Sequence, residues 1–274
     1  MKPALLLLPF FAAVSPGAAA VVLAVDVDER TAGASTGIAG TTAAGFQSFV
    51  IGGTADPNTT SPTTIAYGAF SVTVGGVAGT ATAVTTGTSP NVGFGGAKVP
   101  NYSDRRRTAG SPAGPLPANS GSFTGQDLLS DFLFSNDNNN GGLDIIITGL
   151  AVSTPYIFEV WSYDASSLGT RVSDWTANGS LVADDYSFTN TAVGVPAPAD
   201  DNFGKFSFTA TTGATGQILL SGRRTDASRN SAATPAIDVG VFLNGFRIST
   251  VPEPTSALLG LSPLAGLALR RRRA

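Results

Sequence analysis

Glu159, Trp161 and Tyr163 alternate along one short apolar stretch, Tyr156–Tyr163. In an extended strand residues two apart share a face. Ile157, Glu159, Trp161 and Tyr163 therefore project one way, and Tyr156, Phe158 and Val160 the other. A carboxylate between an indole and a phenol has the chemistry of a sugar site: the rings stack on apolar C–H faces while the acid accepts hydroxyl hydrogen bonds. The same pattern suits a structural face, with Trp161 in a core and Glu159 paired with an arginine. The strand alone does not choose between them. Phe158 and Val160 are core residues on either reading.

Hydrolysis of a glycoside would need two carboxylates roughly 5–9.5 Å apart across a cleft. Asp164, Asp174 and Asp184 follow Glu159 in sequence, but no motif pairs any of them with it, while Asp184-Asp185 and Asp200-Asp201 read as loop acids. The chain has no histidine and no cysteine. That removes Ser-His-Asp and Cys-His nucleophiles, imidazole acid–base work and zinc sites of the His/Cys type. No catalytic residue and no cofactor is expected, and the chain reads as a non-enzyme.

Two further stretches carry polar chemistry. Asn136-Asp137-Asn138-Asn139-Asn140-Gly141-Gly142 offers oxygens to a calcium ion, but its spacing lacks the distal glutamate of an EF-hand loop. It reads as a plain Asn/Gly turn, with no metal expected. Asp104-Arg105-Arg106-Arg107 is either an anion or sugar-acid contact or a loop with an arginine turned onto an acid of the fold. Asn58, Asn101 and Asn178 each begin an N-glycosylation sequon.

Charged residues are 13% of the 274, against about 25% in ordinary globular domains. Gly, Ala, Ser and Thr fill the difference, a composition that suits an extracellular matrix. Setting aside Lys2 and Arg270–Arg273, and Glu253 on the other side, leaves 11 basic and 18 acidic residues, a net of −7. That sign argues against a nucleic-acid partner.

The elements that must position these residues are strands. Val21–Val27, Gly45–Ile51 and Ile65–Gly75 read as strands, and Gly75-Gly76 reads as a hairpin turn into Val77–Thr85. Thr86–Ser122 has no period and reads as a long loop. Asp127–Phe134 carries Leu128, Leu129, Phe132 and Leu133 at helical spacing, which predicts one helix plugging an end of the fold. Leu143–Leu150 is nearly all apolar and reads as a central strand buried on both faces. Tyr156–Tyr163, Gly179–Thr189, Phe203–Ala210, Gly216–Gly222 and Ala236–Leu243 follow. Asn244-Gly245 reads as a hairpin turn into Phe246–Ser249. About ten short strands and one helix predict an all-β, jelly-roll-like sandwich over residues 21–250. The strand rhythm and the Leu-Asn-Gly-Phe ending loosely resemble the galactose-binding-like jelly rolls of bacterial surface proteins.

The two ends are not fold. Residues 1–20 carry Lys2, an apolar run from Ala4 to Val14 and the small residues Ala18-Ala19-Ala20, the pattern of a secretory signal peptide. Residues 251–274 read Val251-Pro252-Glu253-Pro254, an apolar run Thr255–Leu269, and then Arg270, Arg271, Arg272 and Arg273. As a helix that run of about 15 residues spans roughly 22 Å, short of the ~30 Å hydrocarbon core. Pro263, Gly260 and Gly266 weaken it further, and the arginines hold its end on the cytoplasmic side. It suits a brief hold at the membrane better than a permanent anchor.

This tripartite order, with the Pro-Glu-Pro motif intact, resembles the PEP-CTERM sorting domain of bacterial surface proteins. The likeness covers about 24 residues. It implies export, cleavage near the motif by an exosortase, and a bacterium that makes exopolysaccharide. For the sandwich three roles stand beside one another. It is a structural surface or matrix protein associated with polysaccharide, a carbohydrate-binding module using Glu159, Trp161 and Tyr163, or, with least support, a carbohydrate-active enzyme. Exposure of Trp161 separates the first two.

Overall fold

A computed structural model describes residues 18–29, 41–51, 61–77, 102–106, 125–135, 142–164, 170–187, 204–223, 237–239 and 241–252. Within these the chain is nearly all strand. The elements are β1 (Val21–Val27), β2 (Gln47–Phe49), β3 (Thr63–Tyr67), β4 (Phe70–Val77), β5 (Tyr102–Arg106), α1 (Gly125–Ser130), β6 (Asp131–Ser135), β7 (Gly142–Thr148) and β8 (Pro155–Trp161). They continue as β9 (Thr170–Ala177), β10 (Ser180–Ser187), β11 (Lys205–Thr211), β12 (Ile218–Arg223), β13 (Ile237–Val239), β14 (Phe242–Leu243) and β15 (Gly245–Thr250).

Two sheets form a β-sandwich, as expected. One runs β11-β8-β15-β1-β2; the other runs β10-β9-β12-β7-β4-β3, with β13 alongside β9. Their inner faces follow from alternation. Leu23 and Val25, Phe158 and Val160, and Phe246 and Ile248 come from the first sheet. Val72 and Val74, Ile145 and Ile147, and Ile218 and Leu220 come from the second. All are buried in one apolar cluster, so the alternating positions of the sequence are the core positions. A third sheet, β14-β6-β5, joins them at one end.

The structure departs from expectation at the turns. Ile65–Gly75 is not one strand: Gly68, at φ 63°, turns β3 back into β4, with Tyr67 opposite Phe70. One glycine suffices because only it relaxes into the left-handed region at no steric cost. Gly75-Gly76 is no turn but the end of β4, opposite Asp144 and Leu143 of β7. The expected partner Val77–Thr85 lies beyond Val77 outside the described residues. Within Thr86–Ser122, Tyr102–Arg106 is a strand, paired antiparallel with β6.

The helix expected over Asp127–Phe134 stops at Ser130, whose Oγ donates to the Asp127 carbonyl at 3.0 Å. From Asp131 the chain is extended. Phe132 then faces a second apolar cluster while Leu133 joins the main core. The helical spacing was real for Leu128 and Leu129, but strand pairing on both sides of β6 overrides it for the next residues. Asn244-Gly245 is not a hairpin turn either. β14 pairs with β6, whereas β15 pairs with β8 and β1, so the chain crosses between sheets there. Strand β9, which carries Trp175 into the core, had no clear sequence signal.

Candidate functional site

Glu159 and Trp161 project from the outer face of the first sheet. Register places Arg247 of β15 directly opposite Glu159, and Lys205 of β11 opposite Trp161. Lys205 Nζ donates to Glu159 Oε1 at 2.6 Å, and Arg247 Nε donates to Glu159 Oε2. Burial works to raise the Glu159 carboxyl, but these two cations outweigh it and hold it below the ordinary glutamate range. A carboxylate clamped by two cations is neither a proton donor at neutral pH nor an open acceptor for a sugar hydroxyl.

Trp161 and Tyr163 do not form the exposed aromatic platform that the sugar-site reading would need beside it. Trp161 and Tyr163 are both 0% exposed. Phe46 meets the Trp161 ring edge-on at 5.7 Å, and Lys205 Nζ and the Arg247 guanidinium lie 5.4 and 5.5 Å from its centroid. The protein's own groups occupy the positions a glycan ring would need. Tyr163 sits with Trp161 in the second cluster, among Leu128, Leu129, Phe132 and Phe242. Burial, with a contribution from Asp164, pushes its hydroxyl up to about 12.

The cover is built by α1, β6 and β14, and two adjacent residues seat it. A Cβ on Gly245 would lie 2.5 Å from the Val25 carbonyl oxygen and 2.9 Å from Leu128 Cδ1, so glycine alone admits this approach. Buried Asn244 then stitches three segments. Its Oδ1 accepts from the Tyr163 amide at 2.7 Å, and its Nδ2 donates to the carbonyls of Asp131 at 2.8 Å and Leu129 at 3.4 Å.

No second carboxylate faces Glu159 from the expected set. Asp174 precedes inward-facing Trp175 on β9 and so lies on the far side of the sandwich, Asp184 is exposed on β10, and Asp164 is buried. The arginines of β5 serve the fold. The Arg105 guanidinium lies 4.8 Å from the Phe134 ring centroid, and Arg106 Nε stands 3.7 Å from Asp131 Oδ1. Asn178, at the β9–β10 turn, accepts from the Leu219 amide and donates to the Thr211 carbonyl. Asn136–Gly141, Arg107, Glu253, Pro254 and Arg270–Arg273 lie outside the described residues.

The reading of the sequence missed a group of buried acids at this same end. Asp26, Asp28, Glu29 and Asp131 are all buried. Asp26 Oδ2 accepts from the Ala43 amide and Asp28 Oδ2 from the Thr42 hydroxyl, each at 2.6 Å. Ser130 Oγ donates to Asp131 Oδ2 at 3.3 Å. Among the described residues the Oδ1 atoms of Asp26, Asp28 and Asp131 find no hydrogen-bond partner. Burial drives the Asp26 carboxyl well above the ordinary range, with the charges of Asp28, Asp131 and Asp127 adding to it. Burial likewise raises Asp131 to about 7, with Arg106 opposing and Asp28 and Glu29 reinforcing. The available signal was Val25-Asp26-Val27-Asp28, where aspartates alternate with valines at the end of an otherwise apolar strand. Among the described residues no three Asp, Glu, His or Cys side chains are placed to hold a metal ion. Nor is any described helix long and apolar enough to cross a membrane.

No protein family matches the chain, and no curated protein matches it. Among solved structures it is partly similar to the ANXUR2 extracellular domain from Arabidopsis thaliana. That match has TM-score 0.39 and 11% identity, over 54% of this chain and 39% of that one. A family 35 carbohydrate-binding module from Clostridium thermocellum matches at TM-score 0.26 and 14% identity, over 43% of this chain and 78% of that one. A family 35 module from Paenibacillus barcinonensis matches at TM-score 0.26 and 14% identity, over 55% and 93%. The chain thus spans well under half the length of the plant ectodomain. At these scores the likenesses assign no function.

Proposed function

We propose that this chain is an exported, non-enzymatic structural protein of a bacterial surface or extracellular matrix. It is processed by an exosortase and associates with exopolysaccharide. The observation that carries this reading is where the chain leaves the sandwich. Thr250 closes β15, in register with Tyr156 of β8. The next residues, Val251 and Pro252, are exposed. The Pro-Glu-Pro motif therefore starts directly beyond the last strand, where a membrane enzyme reaches it without unfolding the sheet. The buried indole of Trp161 and the clamped carboxylate of Glu159 favour the structural role over a glycan-binding module on that face. A glycan-binding role would have to use another surface.

The test is the intact mass of protein recovered from the native surface, with and without a working exosortase. The expected product of the competent strain lacks the residues beyond the motif, and the deficient strain retains them. Recovery of the full Arg270–Arg273 end from the competent strain overturns the proposal.

A further inference from the structure

Among the described residues one end of the sandwich carries no charged side chain. It is the end where β15 closes at Thr250 and β1 opens at Val21, opposite Ser249. The loops there touch in a row. Gly149 lies against the Ala69 carbonyl, the Leu150 amide donates to the Gly216 carbonyl at 3.1 Å, and the Thr212 amide donates to the Thr154 carbonyl at 3.0 Å. Asn178 then reaches the Thr211 carbonyl at 3.2 Å, and Tyr156 is opposite Thr250. Residues 68–69, 149–154, 178–179 and 212–217, which make these loops, hold no Asp, Glu, Lys or Arg, and neither do the three residues on either side of each. Asp26 and Asp131 mark the opposite end, where β15 begins. The exposed apolar side chains are as unevenly placed. Among the described residues five large ones are exposed, and four belong to the uncharged end: Val21, Val152, Leu181 and Val251. The fifth, Val50, follows β2, which runs parallel to β1 and so ends at the other end. Polar groups between the loops are already paired. The Thr212 hydroxyl donates to the Ala151 carbonyl at 2.6 Å, and the Tyr156 hydroxyl accepts from the Ala151 amide at 3.1 Å. A face built this way meets a less polar layer without stripping water from a charge.

We propose that this end rests on the surface of the membrane that holds the C-terminal segment, with Val152 and Leu181 in the headgroup layer. This placement rests on the reading that the apolar run Thr255–Leu269 enters a bilayer. Four residues, 251–254, join Thr250 to that run, and four extended residues span at most about 14 Å. The headgroup layer is itself roughly 5–8 Å deep on each side, so the tether alone brings this end to the membrane. It also supplies an effective concentration on the order of millimolar, at which a weak contact through a few aliphatic side chains suffices. Cutting the tether removes that concentration, so the contact lasts only as long as the tail does. Charge points the same way. The net of −7 resides elsewhere on the domain, so this is the end that an anionic leaflet repels least. Two charges border it: Glu253, outside the described residues, and the Val21 ammonium once residues 1–20 are removed, which an anionic headgroup attracts.

The test places one fluorescent label at a time on the full-length chain, which has no cysteine of its own. Ala214→Cys marks the uncharged end, and Ala44→Cys, beside the Ala43 amide that meets Asp26, marks the opposite one; both positions are exposed. Ala265→Cys marks the tail. The chain is reconstituted in vesicles of phosphatidylethanolamine and phosphatidylglycerol that carry a nitroxide quencher, on the headgroup for the first two labels and on the acyl chain for the third. The Ala214 label is expected to be quenched several-fold more than the Ala44 label. Val152→Asp together with Leu181→Asp should bring it down to the Ala44 level while the Ala265 label stays quenched. Both substituted side chains are more than half exposed, so the fold bears the change, and should it not, the comparison of Ala214 with Ala44 decides by itself. Equal quenching at Ala214 and Ala44, with Ala265 quenched, overturns this proposal and leaves the tail reading standing. No quenching at Ala265 overturns both. Energy transfer between Ala214 labels on separate copies, with no quenching by lipid, would make the partner a second copy and overturns the proposal too.

Discussion

Arg247 stands directly across the β15–β8 ladder from Glu159 and donates its Nε hydrogen to that carboxylate. With Lys205 on the other flank, the pair makes Glu159 the acid-sensitive point of the outer face. Its folded carboxyl is held below the reference value of 4.5. Its stabilisation is thus complete above the unfolded value and is lost as pH falls through the folded one. Glu159→Gln should cost roughly 1–3 kcal/mol at pH 7 and remove part of the wild type's loss of stability below pH 4. Chemical denaturation at pH 7 and pH 3.5 checks both. An undiminished acid loss in the variant would assign that loss to other carboxylates.

Phe158 and Trp161 lie on opposite faces of β8, yet both are buried. Phe158 stacks on Phe208 in the main core, with centroids 5.1 Å apart, while Trp161 anchors the second cluster. Truncating either to alanine should destabilise by about 3–5 kcal/mol. Equilibrium melts of the two variants beside wild type read this directly. A Trp161→Ala protein as stable as wild type would restore that face as a candidate binding surface.

Asn244 is the joint between the small sheet and the first large one. Asn244→Ala leaves the Tyr163 amide and the Asp131 carbonyl buried without their side-chain partner, which should cost roughly 2–4 kcal/mol. Amide hydrogen exchange gives the sharper readout: the Tyr163 amide should lose protection while the Phe158 amide, deep in the β8 ladder, keeps it. Equal loss at both sites would show that the joint is not local.

Metal removal should leave the fold alone. No set of three ligating side chains is placed for a cation among the described residues, and the Asn136–Gly142 stretch has a single acid, Asp137. Excess chelator at pH 7 should shift Tm by no more than about 1 °C. A fall of many degrees would reveal a structural ion.

Composition and alternation determined a good deal by themselves. The all-β class, the inward set of Phe158, Val160, Phe246 and Ile248, and the absence of imidazole and thiol chemistry were all legible, because a strand's period of two is local and a missing residue type needs no structure. Alternation says which side of its own sheet a residue faces. It does not say what comes to lie on that side. Trp161 and Asp26 point outward just as a solvated residue would, and the return of α1 and β6, with the stretch carrying Ala43 and Phe46, buries them. That return depends on contacts far apart in sequence, such as Asn244 to Asp131 across 113 residues, and on a glycine at 245 whose value lies in what it lets approach. The same reason hid the acidic cluster. Asp26 and Asp131 are unremarkable in their own segments, and only the tertiary fold withdraws both from water.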